Sequence, residues 1–292
     1  MSDGTASGTH LVQDIAPGTA RSNPVELTVA NGKLYFLRAT YKNGWDHAVL
    51  YRTNGSPTGA LPVKDHNGNK IRGFKRHYTH SLWSIDGILY FTVTRSDLWV
   101  SRGTRKSTRK IASFGTRRMV DVDGTAFADW FEGTESFAGA IWKSNGTVSG
   151  TVPLHYDDAA MIQGAGYADS WLMSIGSRAI FWDSERGISV TDGTDAGTHA
   201  LGVAVWPGDD AFFTEVMVNV NGVLYFDGHT FDADGNQSPP ALWRSDGTTA
   251  GTYAVSPTYA TGLVNELTAF GDDILFVNQA NGKGSELWRY NP

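Results

Sequence analysis

A chain of 292 residues with 34 glycines, ten tryptophans and only 18% charged residues suits short strands joined by tight turns better than helices. The absence of cysteine excludes disulfides and thiolate metal sites, no run of eighteen apolar residues spans a membrane, and no basic start with an apolar core marks a signal peptide. A net charge of −6 argues against a general nucleic-acid binder, although residues 64–118 hold 13 of the 24 lysines and arginines against three acids. That basic window would steer an anionic ligand or pair protomers, unless it is simply a solvated face.

One motif recurs six times along the chain: SDGTASGT (2–9), TNGSPTGA (53–60), SRGTRKST (101–108), SNGTVSGT (144–151), TDGTDAGT (191–198) and SDGTTAGT (245–252). The spacing, about 48 residues on average, is the length of a propeller blade. A second element keeps step with it: NGKLYF (31–36), DGILYF (86–91), DGTAFA (123–128), GSRAIF (176–181), NGVLYF (221–226) and DDILF (272–276). A third precedes the first motif, as AVLYR (48–52), DLWVS (97–101), AIWKS (140–144), ALWRS (241–245) and ELWRY (286–290).

Each unit reads as four antiparallel strands. Strand A is of the LTVA type (27–30), and an Asn-Gly turn leads into strand B, LYF. A variable loop then reaches strand C, LW, and the DGTxxGT turn leads to strand D, of the HLVQDI type (10–15). One such sheet cannot bury both faces alone, whereas six around an axis can. The expectation is an all-β chain forming one domain over residues 1–292, a six-bladed β-propeller. The last unit ends after strand C and the first residues supply a strand D without a blade, so residues 9–15 should pair beside 285–290 and close the ring.

The pattern ELW-x-SDGT-xx-GT followed by NG-x-LYF, best copied at 241–252, resembles the repeats of β-propeller-like modules in large bacterial secreted or surface proteins. The resemblance implies a bacterial, extracellular origin and no particular chemistry. The chain departs from the pattern at SRGT (101–104), where Asp is expected, and at GISVTDGT (187–194), which lacks the Trp.

In such a ring the regular turns fall on one face, and the irregular loops, where binding usually resides, fall on the other. Counting upstream from LYF places two columns at the channel mouth: Val25, His80, Arg117, Ser170, Glu215 and Asn265, then Glu26, Ser81, Arg118, Trp171, Val216 and Glu266. His77, Tyr78, Asp169 and Phe213 come just upstream. The turns repeat and the mouth does not, which suits one asymmetric small-molecule ligand better than one sugar per blade.

As a site, Arg117 and Arg118 would hold a carboxylate or phosphate, and Trp171, Phe213 and Tyr78 would wall the ligand, with His77 and Asp169 beside them. His80 would act as general base or acid with Glu215, Glu266 or Glu26. Metal binding by His77 and His80 is disfavoured, because three-residue spacing on a strand points them to opposite faces. DADGN (232–236) begins like a calcium loop but has Gln237 where Gly is required and reads as an ordinary turn. RGTRKSTRK (102–110) would grip a polyanion or form a solvated hairpin.

No hydrolase, zinc-protease or nucleotide fingerprint and no redox cofactor motif is present, so no cofactor is expected. The leading expectation is an axial pocket for an anionic or amphipathic small molecule, doing non-redox acid–base chemistry if it is catalytic. The alternatives are a glycan-binding module using Trp45, Trp130 and Phe131, and an adhesive repeat with no small ligand.

Overall fold

The computed structural model describes residues 4–42, 45–74, 82–94, 96–132, 136–156, 158, 162, 171–183, 185–207, 217–255, 264–278 and 284–292. All regular structure among them is β, and no helix is long and apolar enough to cross a membrane. The chain divides into two compact units, Met1–Ser136 with Lys143–Val152, and Phe137–Trp142 with Pro153–Pro292.

Six antiparallel sheets follow one another. The first contains β1 (Pro24–Ala30), β2 (Lys33–Lys42), β3 (Trp45–Thr53) and β4 (Leu61–Pro62) in that order, with β5 (Arg72–Phe74) also pairing β3. The second runs β6 (Leu82–Ile85), β7 (Ile88–Val93), β8 (Asp97–Ser101), β9 (Arg109–Ala112). The third runs β10 (Met119–Val122), β11 (Thr125–Glu132), β12 (Ser136–Ser144), β13 (Val152–Pro153). The fourth is β14 (Leu172–Ile175), β15 (Arg178–Asp183), β16 (Gly187–Thr191), β17 (His199–Ala200). In the fifth, β18 (Trp206–Pro207) and β19 (Met217–Val220) both pair β20 (Val223–His229), which is followed by β21 (Ala241–Ser245) and β22 (Tyr253–Ala254). The sixth has three strands, β23 (Val264–Phe270), β24 (Asp273–Asn278) and β25 (Glu286–Tyr290).

The expected A–B turns form as read. Asn31, Asp86, Asp123 and Asn221 take φ between 48° and 52°, and the glycine after each is also positive, as a two-residue hairpin turn with the twist of its strands requires. The LYF strands are buried on both faces (all six residues of β7 are buried), which is why they read as continuous apolar runs rather than as alternation. Neighbouring sheets share cores. Tyr35, Leu37 and Leu50 pack with Leu89 and Phe91 in the first unit, and Ile180, Val190 and Leu201 pack with Leu224 and Phe226 in the second.

The SDGTxxGT motif is a closed hydrogen-bonded device. The last residue of the third strand bonds the final Thr of the motif through buried hydroxyls: Ser101–Thr108 and Ser144–Thr151 at 2.8 Å, Thr191–Thr198 and Ser245–Thr252 at 2.7 Å. The Asp or Asn carbonyl or carboxylate oxygen accepts the backbone N–H two residues on, at 3.1 Å for Asn145, 2.9 Å for Asp192 and 3.0 Å for Asp246. Where Asp or Asn holds the turn the second glycine is required, since a Cβ on Gly251 would lie 2.0 Å from the Asp246 carboxylate.

The N-terminal copy of the motif makes the same turn, with the Gly8 N–H donating to Thr5 Oγ1 at 2.9 Å and the Thr9 hydroxyl to Thr5 O at 2.7 Å. The strand expected after it is not formed. Residues 9–14 carry no ladder, Leu11 is 76% exposed, and β25 ends its sheet with Leu287 71% exposed. Instead Gln13 Oε1 accepts the Ala60 N–H at 2.8 Å, so the segment is anchored beside the first sheet, with Val12 and Ile15 half-buried and Leu11 exposed.

Candidate functional site

Of the residues expected at a mouth, Val25, Glu26, Arg117, Arg118, Trp171, Asn265 and Glu266 are described; His77, Tyr78, His80, Ser81, Asp169, Ser170, Phe213, Glu215 and Val216 lie outside the described residues. The columns obtained by counting do not run straight. In the first sheet Val25 pairs Leu37 and Thr28 pairs Tyr35, and in the sixth Asn265 pairs Val277 and Thr268 pairs Leu275. Each strand therefore carries a β-bulge with one extra residue. Glu26 and Glu266 sit in these bulges, both at φ 53°, a left-handed conformation that is strained for a residue with a Cβ. Val25 thus falls level with Arg118 and Trp171, one place away from the counted alignment.

At that level the sheets hold Val25 opposite Leu37 in the first and Arg118 against Asp129 in the third, whose N–H donates to Arg118 O at 3.3 Å. In the fourth, Trp182 donates to Trp171 O at 3.2 Å. Trp171 is core, with its ring 4.9 Å from Phe226 and edge-on to it. Asp129 Oδ1 accepts the N–H groups of Arg117 (3.1 Å) and Arg118 (2.8 Å), and the Thr116 hydroxyl lies 2.6 Å away. Crowding and loss of water push the Asp129 carboxyl above the usual carboxylate range, against the pull of these donors and of Arg117. Desolvation lowers the Arg118 guanidinium, and the Asp129 charge opposes that shift. This node offers a carboxyl with a raised pKa, and its charge acts on the Arg118 guanidinium.

A second constellation, which sequence reasoning missed, lies wholly in the second unit. Trp206 on β18 pairs across the sheet with His229 on β20. The Trp206 ring is 4.9 Å from Trp182 and 5.6 Å from Phe231, and His229 stands 5.2 Å from Phe231. Trp206 is 38% exposed and Phe231 44% exposed, whereas Trp182, Asp227 and His229 are buried beneath them.

Local chemistry builds this platform. Gly228 lets the chain pass, because a Cβ there would meet Val205 Cγ2 at 2.8 Å. Phe231 is held by a small hairpin in which Ser238 N–H donates to Thr230 O at 2.7 Å and Phe231 bridges Gln237. Its tip is DADGN, closed by Asp232, whose carboxylate accepts the Asn236 N–H (2.8 Å) and side-chain amide (3.0 Å). Those bonds, the side-chain one foremost, hold the Asp232 carboxyl below its usual range and occupy the oxygens a cation would need. DHNGN (65–69) closes in the same way through Asp65 and Asn69. Among the described residues no three His, Asp or Glu side chains converge as a metal site. Of the aromatics expected to read glycans, Trp130 and Phe131 are placed by backbone on β11 and Trp45 on β3.

No protein-family model and no curated protein matches this sequence. Among solved structures, the β-propeller domain of the Trilobed protease from Pyrococcus furiosus is similar at 10% identity, over 93% of this chain and 82% of that one, with a TM-score of 0.46. A puromycin hydrolase is similar at 10% identity and a TM-score of 0.41 over 92% of this chain, which spans about half (52%) of the hydrolase. An exo-β-1,3-galactanase from Phanerochaete chrysosporium is similar at 12% identity, over 79% of this chain and 62% of that one, with a TM-score of 0.32. Likenesses of this size assign no residue a role.

Proposed function

We propose that the six sheets are the blades of a β-propeller of the secreted or surface repeat type, and that it binds carbohydrate through the Trp206–Phe231 platform. The observation that carries the binding claim is an aromatic pair packed against buried partners yet open to solvent. Exposed rings cost solvation unless they are covered in use, and a sugar presents the C–H face that an indole covers well. The buried His229 ring backs Phe231 from the same sheet.

The ring reading is supported by the anchor of Gln13. In the second unit the Thr249 hydroxyl in the turn of one sheet donates to Leu201 O, after the last strand of the preceding sheet, at 2.6 Å. Gln13 meets Ala60 in the corresponding turn of the first sheet. Residues 9–15 thus stand to the first sheet as a preceding blade's outer strand stands to the next, and in the proposed ring they would be the strand that completes the sheet ending in β25.

The binding test is a glycan array, followed by calorimetric titration of cellotriose, chitotriose and laminaritriose. Trp206→Ala should weaken the best ligand by about 30-fold, roughly 2 kcal/mol. Equal affinity in wild type, Trp206→Ala and Phe231→Ala would overturn the reading. The raised Asp129 carboxyl beside Arg117 favours a second reading, acid–base chemistry on an anionic substrate; turnover lost in Asp129→Asn with binding retained would support it.

A further inference from the structure

The seam between one sheet's outer strand and the next sheet's turn is closed in the second unit by the Thr249 hydroxyl on Leu201 O. In the first unit the same seam, between the first and second sheets, is open. Arg105 stands at the position of Thr249, and its guanidinium packs over Gly68 and donates to His66 O at 3.4 Å. Val63 stands at the position of Leu201; the backbone bonds Val63 N–H to Leu50 O and Leu201 N–H to Ile188 O are equivalent.

The unfilled seam is a cavity of about 310 Å³. Arg52, Lys64 and Arg105 line it together with Leu61, Pro62 and Val63, and among the described residues no acid does. The nearest acid in sequence, Asp65, is turned into its own hairpin, accepting Asn69 N–H at 2.8 Å and the Asn69 amide at 3.3 Å. Two of its three cations, Lys64 and Arg105, belong to the basic window at 64–118.

We infer that this cavity is a binding site for a small oxyanion ester, a phosphate or sulfate group carried on a compact organic body. The three cations take the oxyanion, because guanidinium and ammonium donors match its oxygens and no carboxylate competes. The Leu61–Val63 wall takes the body, and the volume lies at the lower end of small-molecule cavities. The site is separate from the aromatic platform and does not depend on it.

The test uses the full chain, with inorganic phosphate, inorganic sulfate, glucose 6-phosphate, glucose 6-sulfate and glucose, by calorimetry and thermal shift. The phosphate and sulfate arms tell the two ester sources apart. At least one ester should bind with a dissociation constant below about 1 mM, raise the melting temperature, and weaken as salt rises. Glucose should not bind, and inorganic anions should bind more weakly than the ester. Lys64→Gln, at an exposed position, should weaken the ester about fivefold or more. Arg105→Thr should abolish binding while keeping the fold, because threonine is what closes the equivalent seam. Trp206→Ala should bind the ester like wild type. Absence of ester binding, or equal binding in Lys64→Gln and Arg105→Thr, overturns the inference; inorganic anions binding as tightly as the ester would overturn the role of the apolar wall.

Discussion

Ser107 occupies the place where the other turns have glycine, and Arg102 the place where they have Asp or Asn. The two exchanges are one event. With no carboxylate at 102, the Ser107 hydroxyl accepts the N–H groups of Arg102 and Thr104, both at 3.1 Å, as Asp246 Oδ1 accepts that of Thr248. Arg102→Asp alone should therefore crowd Ser107 and lose stability, and Ser107→Gly alone should leave the donors unmet. The double variant should recover most of the loss, with a coupling of about 1–2 kcal/mol in urea unfolding. Additive losses would show that the two positions are independent.

At Asp129 the same scale makes a pH prediction. Its folded pKa is raised, chiefly by desolvation, so between the ordinary carboxylate range and the raised value the native state holds a proton that the unfolded state has released. This group therefore lowers stability as pH rises through that window and is neutral below it. Asn retains the oxygen that accepts from Arg117 and Arg118. Asp129→Asn should be at least as stable as wild type at neutral pH, with the difference vanishing below about pH 4. A difference that grows in acid would reverse the assignment.

At the scale of elements, the Asn-Gly and Asp-Gly pairs announced their hairpins because few other pairs accept two positive φ values in succession. The bulges at Glu26 and Glu266 were not legible, since PVELTVA and VNELTAF look like any strand and a bulge shows only in what the partner strand opposes. Counting residues consequently sets the aligned columns off by one in these sheets. Glu266→Gly should relieve the left-handed backbone at an exposed site and raise stability by about 0.5–1 kcal/mol, whereas Glu266→Val should lower it. Chemical denaturation reads both. The Trp206–Phe231 platform was equally hidden, because VWPGDD carries no period, and only β18 pairing with β20 brings Trp206 beside His229. A signal was present in the paired DHNGN and DADGN, two copies of one hairpin turn.

For the whole molecule, the three-stranded sixth sheet presents β25 as an edge with an exposed leucine, a template for any strand that reaches it. If residues 9–15 are its partner, deleting residues 1–15 should lower the melting temperature and produce concentration-dependent association, which Leu287→Lys should suppress. Light scattering and thermal melts check both outcomes, and an unchanged, monomeric truncation would reject the closing strand. The sequence by itself determined the β class, the six repeats, the antiparallel order of the three strands common to every sheet and the turn chemistry, because these rest on contacts within one repeat that recur along the chain. Only the tertiary structure decided where a bulge shifts a strand, that Arg118 faces Asp129, which rings meet in the open and which seam stays unfilled. Those features depend on which residues oppose one another across strands and between sheets, and each occurs in one or two copies, so no period reveals them.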